Sequence, residues 1–254
     1  MSLIKKRVLK YNNLGTTNNV SGYIYNNEII CFLIPMNTKC NLLKELIGEN
    51  KMKSPQNNAN NIEMNHMTYI NGYTNGALID HYCREYIYNE LTIWETIMFQ
   101  TVISNINIKE KLIDINYILD IMSLTLFKDV RVGMLLPDQR LLLVILLDLI
   151  SGIDLLIIDD FNIGLTNYQC HHVLSILKKI LELHPQYMFV LGASTLSREE
   201  LDMIDRMHII SSDSSYIKSS SLYYGSPKPI IRFVNRGLGV GVDSKDDRNQ
   251  EQVE

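Results

Sequence analysis

Residues Leu155, Leu156, Ile157 and Ile158 form a short, unbroken apolar run that ends in two adjacent carboxylates, Asp159 and Asp160. A run this short, with no polar alternation, suits a strand covered on both faces, the habit of parallel sheets flanked by helices. Open parallel sheets hold their ligands at the carboxyl ends of the strands, so both carboxylates fall where a divalent cation would be handled. The competing reading is plainer: a strand-end aspartate often caps the helix that follows. The Gly164-Leu165 turn then leads into that helix.

The neighbouring pattern repeats the unit. Further buried strands are predicted at Ile29–Leu33, Met188–Leu191 and Met207–Ile210, with helical periodicity between the later ones. Thr166 and Gln169 have capping-box spacing, and Val173, Ile176, Leu177, Ile180 and Leu181 make one apolar helical face that stops at His184-Pro185. Ser197 and Glu200 repeat the capping box ahead of a short helix through Ile204. Alternation of strand and helix predicts an α/β fold with a mainly parallel sheet. From Leu91 to Leu147 helical periodicity dominates, which predicts a helical subdomain at about residues 91–150. Asn-rich Glu49–His66 is read as a long loop, and the charged residues 242–254 as a mobile tail. Trp94 and Phe99 are assigned to the subdomain core, and Asp202 and Asp205 to helix-surface charges.

The apolar stretch Leu141–Ile158 contains two aspartates, each costing roughly 2.5–3.5 kcal/mol near a bilayer centre, and Ser151-Gly152 breaks it midway. It reads as helix, turn and strand rather than a membrane span. With 254 residues, 46% of them hydrophobic, the chain can bury a large core as a single unit over residues 1–241. A net charge of −4 and the lack of a basic face with interleaved aromatics argue against a nucleic-acid partner. Cys31, Cys40, Cys83 and Cys170 are widely spaced, which suggests neither a metal cluster nor a disulfide framework. His171, His172 and His184 offer no ligand-pair spacing either, so no metal site is assigned. No secretory signal is read at the start, and an intracellular, reducing compartment is expected.

In order and spacing, several segments resemble the nucleotide-binding domain of ABC transporters, most closely the G, or White, subfamily. VSGYIYNNEIICFL (Val20–Leu33) is similar to the strand that enters the phosphate loop, and KCNLLKELIG (Lys39–Gly48) to the loop lysine and its helix. ELTIWETIMF (Glu90–Phe99) resembles the start of the helical subdomain. Leu135–Asn167 is similar to the signature helix, Walker B strand and D-loop, and Ile204–Ile210 with Leu222–Gly239 to the closing strands. The resemblance implies a P-loop NTPase-like core with a small antiparallel β portion and a helical subdomain. It also implies ATP and Mg²⁺ as ligands, and either another ABC domain or a membrane-spanning transporter chain as partner. The expected location is cytosolic, or at the cytosolic face of a membrane through that partner.

The same resemblance shows where this chain departs. A phosphate loop needs glycines to turn backbone N–H groups inward and a hydroxyl for Mg²⁺. Ile34-Pro35-Met36-Asn37-Thr38-Lys39-Cys40 is one residue short and lacks the glycines; Cys40 stands at the hydroxyl position, and Asn41 supplies none. Residual nucleotide contacts fall to Asn37, Thr38, Lys39, Cys40 and Asn41. Asp159 keeps the Mg²⁺ side, while Asp160 stands at the catalytic glutamate position with a side chain one methylene shorter. Cys83 falls at the Q-loop position, Ser194 at the switch histidine, and Thr166 at the D-loop aspartate. The signature positions are Leu135, Leu136, Pro137, Asp138 and Gln139; Pro137 has no N–H, and Asp138 is expected to set a negative charge against a phosphate.

Three readings follow. One is a pseudo-ATPase with a structural or regulatory role. The second is an ATP-binding subunit that powers export of lipid, sterol or small molecules by a separate membrane chain. The third is an unrelated α/β protein.

Overall fold

The computed structural model describes residues 8–14, 20–34, 42–46, 62–64, 67–69, 76–80, 87–212 and 219–229. The strands are β1 (Val8–Leu14), β2 (Val20–Tyr25), β3 (Ile29–Leu33), β4 (Ile62–Met64), β5 (Met67–Tyr69), β6 (Gly76–Ile79), β7 (Leu155–Ile158), β8 (Met188–Ala193), β9 (Arg206–Ser212) and β10 (Ser219–Gly225). The helices are α1 (Leu42–Leu46), α2 (Ile93–Ile103), α3 (Ile108–Ile121), α4 (Pro137–Ile150), α5 (Asn167–Leu183) and α6 (Arg198–Met203).

Two sheets organise the described residues. Six strands lie in the order β10-β9-β3-β8-β7-β6, and four in the order β2-β1-β4-β5. Every pairing from β9 to β6 is parallel, and β10 joins β9 antiparallel. The smaller sheet is antiparallel throughout. The apolar strands do not alternate in sequence because both faces are covered. Leu156 and Ile158 of β7, with Phe189 and Leu191 of β8, join the core shared with the helices, whereas Leu155, Ile157, Met188 and Val190 face the antiparallel sheet. Strand β2 has one covered face, so its burial does alternate. Burying each such side chain contributes roughly 1.5–3 kcal/mol.

Local chemistry sets the helix ends as expected. Thr166 accepts from the Gln169 amide and Gln169 reaches back to Thr166, and Ser197 pairs with Glu200 in the same way. All five apolar residues expected on the α5 face are buried. Leu141–Ile158 resolves into helix, turn and strand, with Gly152 at φ +84° in the turn. From 91 to 150 the named elements are helices, and Thr92 with Glu95 forms a further capping box at the start of α2.

Some expectations fail. Residues 62–64, assigned to a loop, form a strand between β1 and β5, paired antiparallel to both. Phe99 is 43% exposed, not core, and meets Tyr88 edge-on at 5.5 Å. Trp94 does pack against the core, with the Lys128 ammonium 4.1 Å from its ring centre. Asp205 is no helix-surface charge: it accepts from the Ile29 amide and pairs with Lys178, tying the entry of β9 to β3 and α5. The residues of the expected tail lie outside those described.

The strip between the two sheets carries an aromatic cluster. The Tyr11 hydroxyl and His208 Nδ1 share a 2.7 Å hydrogen bond, and Phe32 and Tyr224 each lie 5.3 Å from the His208 ring centre. Gly22 is required there, because a Cβ would sit 2.4 Å from the Tyr11 hydroxyl. Arg206 closes the rim, bonding Glu28 at 2.8 and 3.3 Å while lying over Tyr25.

Candidate functional site

Parallel pairing brings the carboxyl ends of β6, β7, β8 and β3 to one edge. Ile79 is level with Ile158, which puts Asp80 beside Asp159 across neighbouring strands. The backbone continues the register past the strands: Asp159 N donates to Ile79 O at 2.9 Å, Phe161 N to Gly192 O at 3.0 Å, and Ile34 N to Ala193 O at 2.8 Å. Asp159, Asp160 and Ser194 therefore do share this edge. Asn162 Nδ2 donates to Thr195 O at 2.9 Å and fixes the turn after β7 to the segment after β8.

Asp159 is half-buried, and one of its oxygens accepts from the Asp160 amide at 2.9 Å. Its carboxyl is pushed above the usual carboxylate range, first by burial and next by the charge of Asp160. The Asp160 amide and the Lys44 ammonium pull it back in part, and Asp80 pushes it up again. Asp160 is exposed and left-handed, with φ +47°, a conformation aspartate tolerates better than most residues. Gly192 lines the floor; a Cβ there would lie 2.6 Å from Leu43 and 2.8 Å from Asp159 Oδ1.

The like charge of Asp160 and Asp80 beside Asp159 is what a cation would relieve, but one Asp159 oxygen is engaged by the Asp160 amide, and Mg²⁺ wants six oxygens in near-octahedral array. Among the described residues, no group of three or more His, Cys, Asp or Glu side chains is placed to hold a metal ion. Asn37, Thr38, Lys39, Cys40, Asn41 and Cys83 lie outside the described residues.

The second predicted region is the start of α4. Leu136 occupies the cap position and has no side-chain oxygen, so half a capping box forms: Gln139 Oε1 accepts from Leu136 N at 3.0 Å. Pro137 takes the first helical position, where its missing N–H costs the helix nothing. The expectation for Asp138 needs correction. Its side chain is buried rather than presented outward; Gln169 Nε2 donates to one oxygen and His172 Nδ1 to the other, both at 3.0 Å. A buried carboxylate must find donors, and the first turns of α5 provide two. Leu135 is buried, whereas Leu136 is 57% exposed.

The α4 start is thus fastened to the α5 start, and its outward face is apolar. At this helix start Pro137 has no N–H and Leu136 N is taken by Gln139 Oε1, so two of the amides an anion could use are missing or engaged. Asp80 and Gly192, which sequence reasoning passed over, matter here, as does the pairing of Gln169 and His172 with Asp138. Asp80 carried a signal, since Ala77-Leu78-Ile79-Asp80 repeats the apolar-run-plus-aspartate pattern of β7. Gly192, Gln169 and His172 carried none beyond ordinary helix and strand patterning.

Comparison with known proteins agrees with this architecture. No family model matches the chain, and no curated protein matches it. Among solved structures, the chain is similar to CbiO1 from Clostridium perfringens, described as part of the ABC transporter complex CbiONQ. The two share 14% identity with a TM-score of 0.72, over 92% of this chain and 96% of that one. It is also similar to the ADP conformation of MJ1267, an ATP-binding cassette of an ABC transporter, at 13% identity and a TM-score of 0.67, over 91% and 99% of the two chains. The chain has the P-loop NTPase fold of ABC ATPase domains.

Proposed function

We propose that this chain is a degenerate ABC domain of G, or White, subfamily type that has given up productive ATP turnover and acts as a structural or regulatory partner. The observation that carries this reading is the α4 start. Its carboxylate is held inside by Gln169 and His172, and what faces outward is Leu136 and Pro137, the latter with no N–H to offer a phosphate. The degraded loop residues Asn37–Asn41 and the Cys83 and Ser194 substitutions point the same way in sequence.

The partner is another ABC domain or a membrane-spanning transporter chain. Two things support it. CbiO1 is described as part of a transporter complex, and helix α2 is apolar on most sides yet leaves Phe99, Val102 and Ile103 exposed. No helix among the described residues is long and apolar enough to cross a membrane. A place in the cytosol, or at the cytosolic membrane face through the partner, follows from this reading.

A second reading, an ATP-binding subunit that drives export by a separate membrane chain, is favoured by one observation: Asp159 and Asp160 stand together at the carboxyl edge of β7. Equilibrium binding of a fluorescent ATP analogue to the purified chain, with and without Mg²⁺ and beside Lys39→Ala, decides between them. No binding at millimolar nucleotide is expected. Micromolar binding that needs both Mg²⁺ and Lys39 overturns the pseudo-ATPase reading.

A further inference from the structure

Side chains, not backbone, hold the four-stranded sheet to the rest of the chain. Among the described residues β1, β2, β4 and β5 pair only with one another, and no strand ladder joins them to the six-stranded sheet. An apolar layer that includes Leu9, Val20, Ile24, Ile157 and Val190 fills most of the gap. One polar link is buried in this strip, where the Tyr11 hydroxyl of β1 meets His208 Nδ1 of β9. Tyr224 of β10 extends the link. Its ring packs edge-on to His208, while its hydroxyl donates to Tyr23 O at 2.6 Å and accepts from Tyr23 N at 3.1 Å. One tyrosine side chain thus bonds the edge of β2 as a neighbouring strand would. The turn from β2 to β3 is fixed separately, because Asn27 N donates to Tyr187 O and Asn26 Nδ2 to Pro185 O, both at 2.9 Å.

We propose that this junction is an acid-released latch: a proton taken up at His208 lets the four-stranded sheet part from the six-stranded one about the fixed β2–β3 turn, while the parallel core stays folded. The groups around the imidazole come from four other strands. β1 presents the Tyr11 hydroxyl and β10 the Tyr224 hydroxyl, both pushed above the ordinary tyrosine range by burial and therefore neutral. β3 presents Phe32, level with His208 in register. Two residues back along β9, Arg206 is already a cation; it lies over Tyr25 of β2 and holds the Glu28 carboxylate at 2.8 and 3.3 Å. Burial depresses the imidazole from 6.5 to about 4, and parting of the sheets removes that burial. A base depressed in the closed state binds its proton more tightly once open. The closed state is therefore fully favoured above about pH 6.5 and loses ground as pH falls toward 4. From pH 7 to pH 5 the ratio of open to closed molecules should rise about 20-fold. A small sheet tied on by side chains is the kind of unit that opens below the free energy of global unfolding. The latch does not depend on whether the chain binds nucleotide.

Amide hydrogen exchange of the full chain between about pH 7 and pH 5, corrected for the intrinsic pH dependence of exchange and resolved by segment, tests it. Protection of β1 and β2 should fall about 20-fold across that range, while β7 and β8 change by less than about threefold. His208→Phe keeps an aromatic ring and removes the titration, so the pH dependence of β1 and β2 should vanish. Tyr224→Phe removes the bonds to Tyr23 and keeps the imidazole. It should lower the protection of β2 by a similar factor at every pH and leave the pH slope intact. Constant protection of β1 and β2, equal loss in both sheets, or a slope that survives His208→Phe overturns the proposal. Should His208→Phe fail to fold, the comparison of the two sheets in the unaltered chain still decides, because a loss shared by both is global unfolding and not a latch.

Discussion

Asp159 and Asp138 are both withdrawn from water, and the chain treats them in opposite ways. Asp138 is the more deeply buried, at 5% exposure, yet it is met by an imidazole and an amide donor at 3.0 Å each. Asp159 keeps partial access to solvent but faces Asp160 and Asp80, and burial with like charge pushes its carboxyl upward. A buried charge that is paired holds two elements together, whereas one crowded by its own sign stores unfavourable energy unless a cation arrives. The α4–α5 junction is therefore the firmly paired one, and the carboxylate edge is the one a cation would relieve.

The sharpest way to break this comparison is to remove one partner on the paired side. His172→Ala leaves Asp138 buried with Gln169 alone, and stability is expected to fall by about 2–4 kcal/mol, the cost of stranding a buried carboxylate. Asp159→Asn, which relieves like-charge crowding, is expected to be neutral or stabilising by up to about 1 kcal/mol. Urea unfolding of both variants gives the answer. If the two shift the midpoint alike, pairing does not distinguish the two carboxylates.

The basic side offers the same contrast within one pH titration. Burial between the sheets lowers the pKa of His208 from 6.5 to about 4, and the ring stays neutral beside the Tyr11 hydroxyl. A depressed base contributes stability that is complete above its unfolded value and is lost as pH falls from about 6.5 through 4. The expected loss is roughly 3 kcal/mol. His208→Phe should flatten that fall, and an unchanged acid slope would mean that other groups set it. Asp148, on α4, works with the other sign. Burial raises it from 3.8 to about 6, so the folded state holds its proton longer than the unfolded chain does. Stability then declines as pH rises from about 4 to 6, and Asp148→Asn is expected to recover about 1–2 kcal/mol at neutral pH, after allowance for its partial exposure. A variant that gains nothing at pH 7.5 would place the carboxylate in a wetter setting.

What could be read from sequence divides along physical lines. The parallel core was legible because β3, β7 and β8 are apolar on both faces, and such runs have few other uses. Capping at Thr166 and Ser197 was legible because each uses only neighbours three residues away. Strand β4 was not, since three residues carry no periodicity and one of the two strands that pair with them, β1, is distant in sequence. Phe99 was misassigned because helical spacing cannot say which face of α2 meets the core when the helix is apolar on most sides. The carboxylates at 159 and 160 were located by the strand end, but the inward turn of Asp138 depends on two side chains some thirty residues away, which local pattern does not contain. Residue type and position predicted where charges sit along the chain, whereas their partners are a property of the packing.

The smallest expected effect isolates the crowding itself. Asp160→Asn removes the nearest like charge while keeping a residue that accepts φ +47°, and it leaves the amide that bonds Asp159 in place. Global stability should therefore move by less than about 0.5 kcal/mol, within the range of ordinary surface substitutions. The informative readout is the titration of Asp159 followed through its side-chain carboxyl carbon by NMR. Its midpoint should fall, because one of the two charges that raise it is gone while the Lys44 ammonium remains. Burial is the larger cause, so the midpoint should remain above that of an unburied aspartate even in the variant. A midpoint that does not move would assign the shift to burial alone, and the like-charge half of the contrast with Asp138 would then have to be given up.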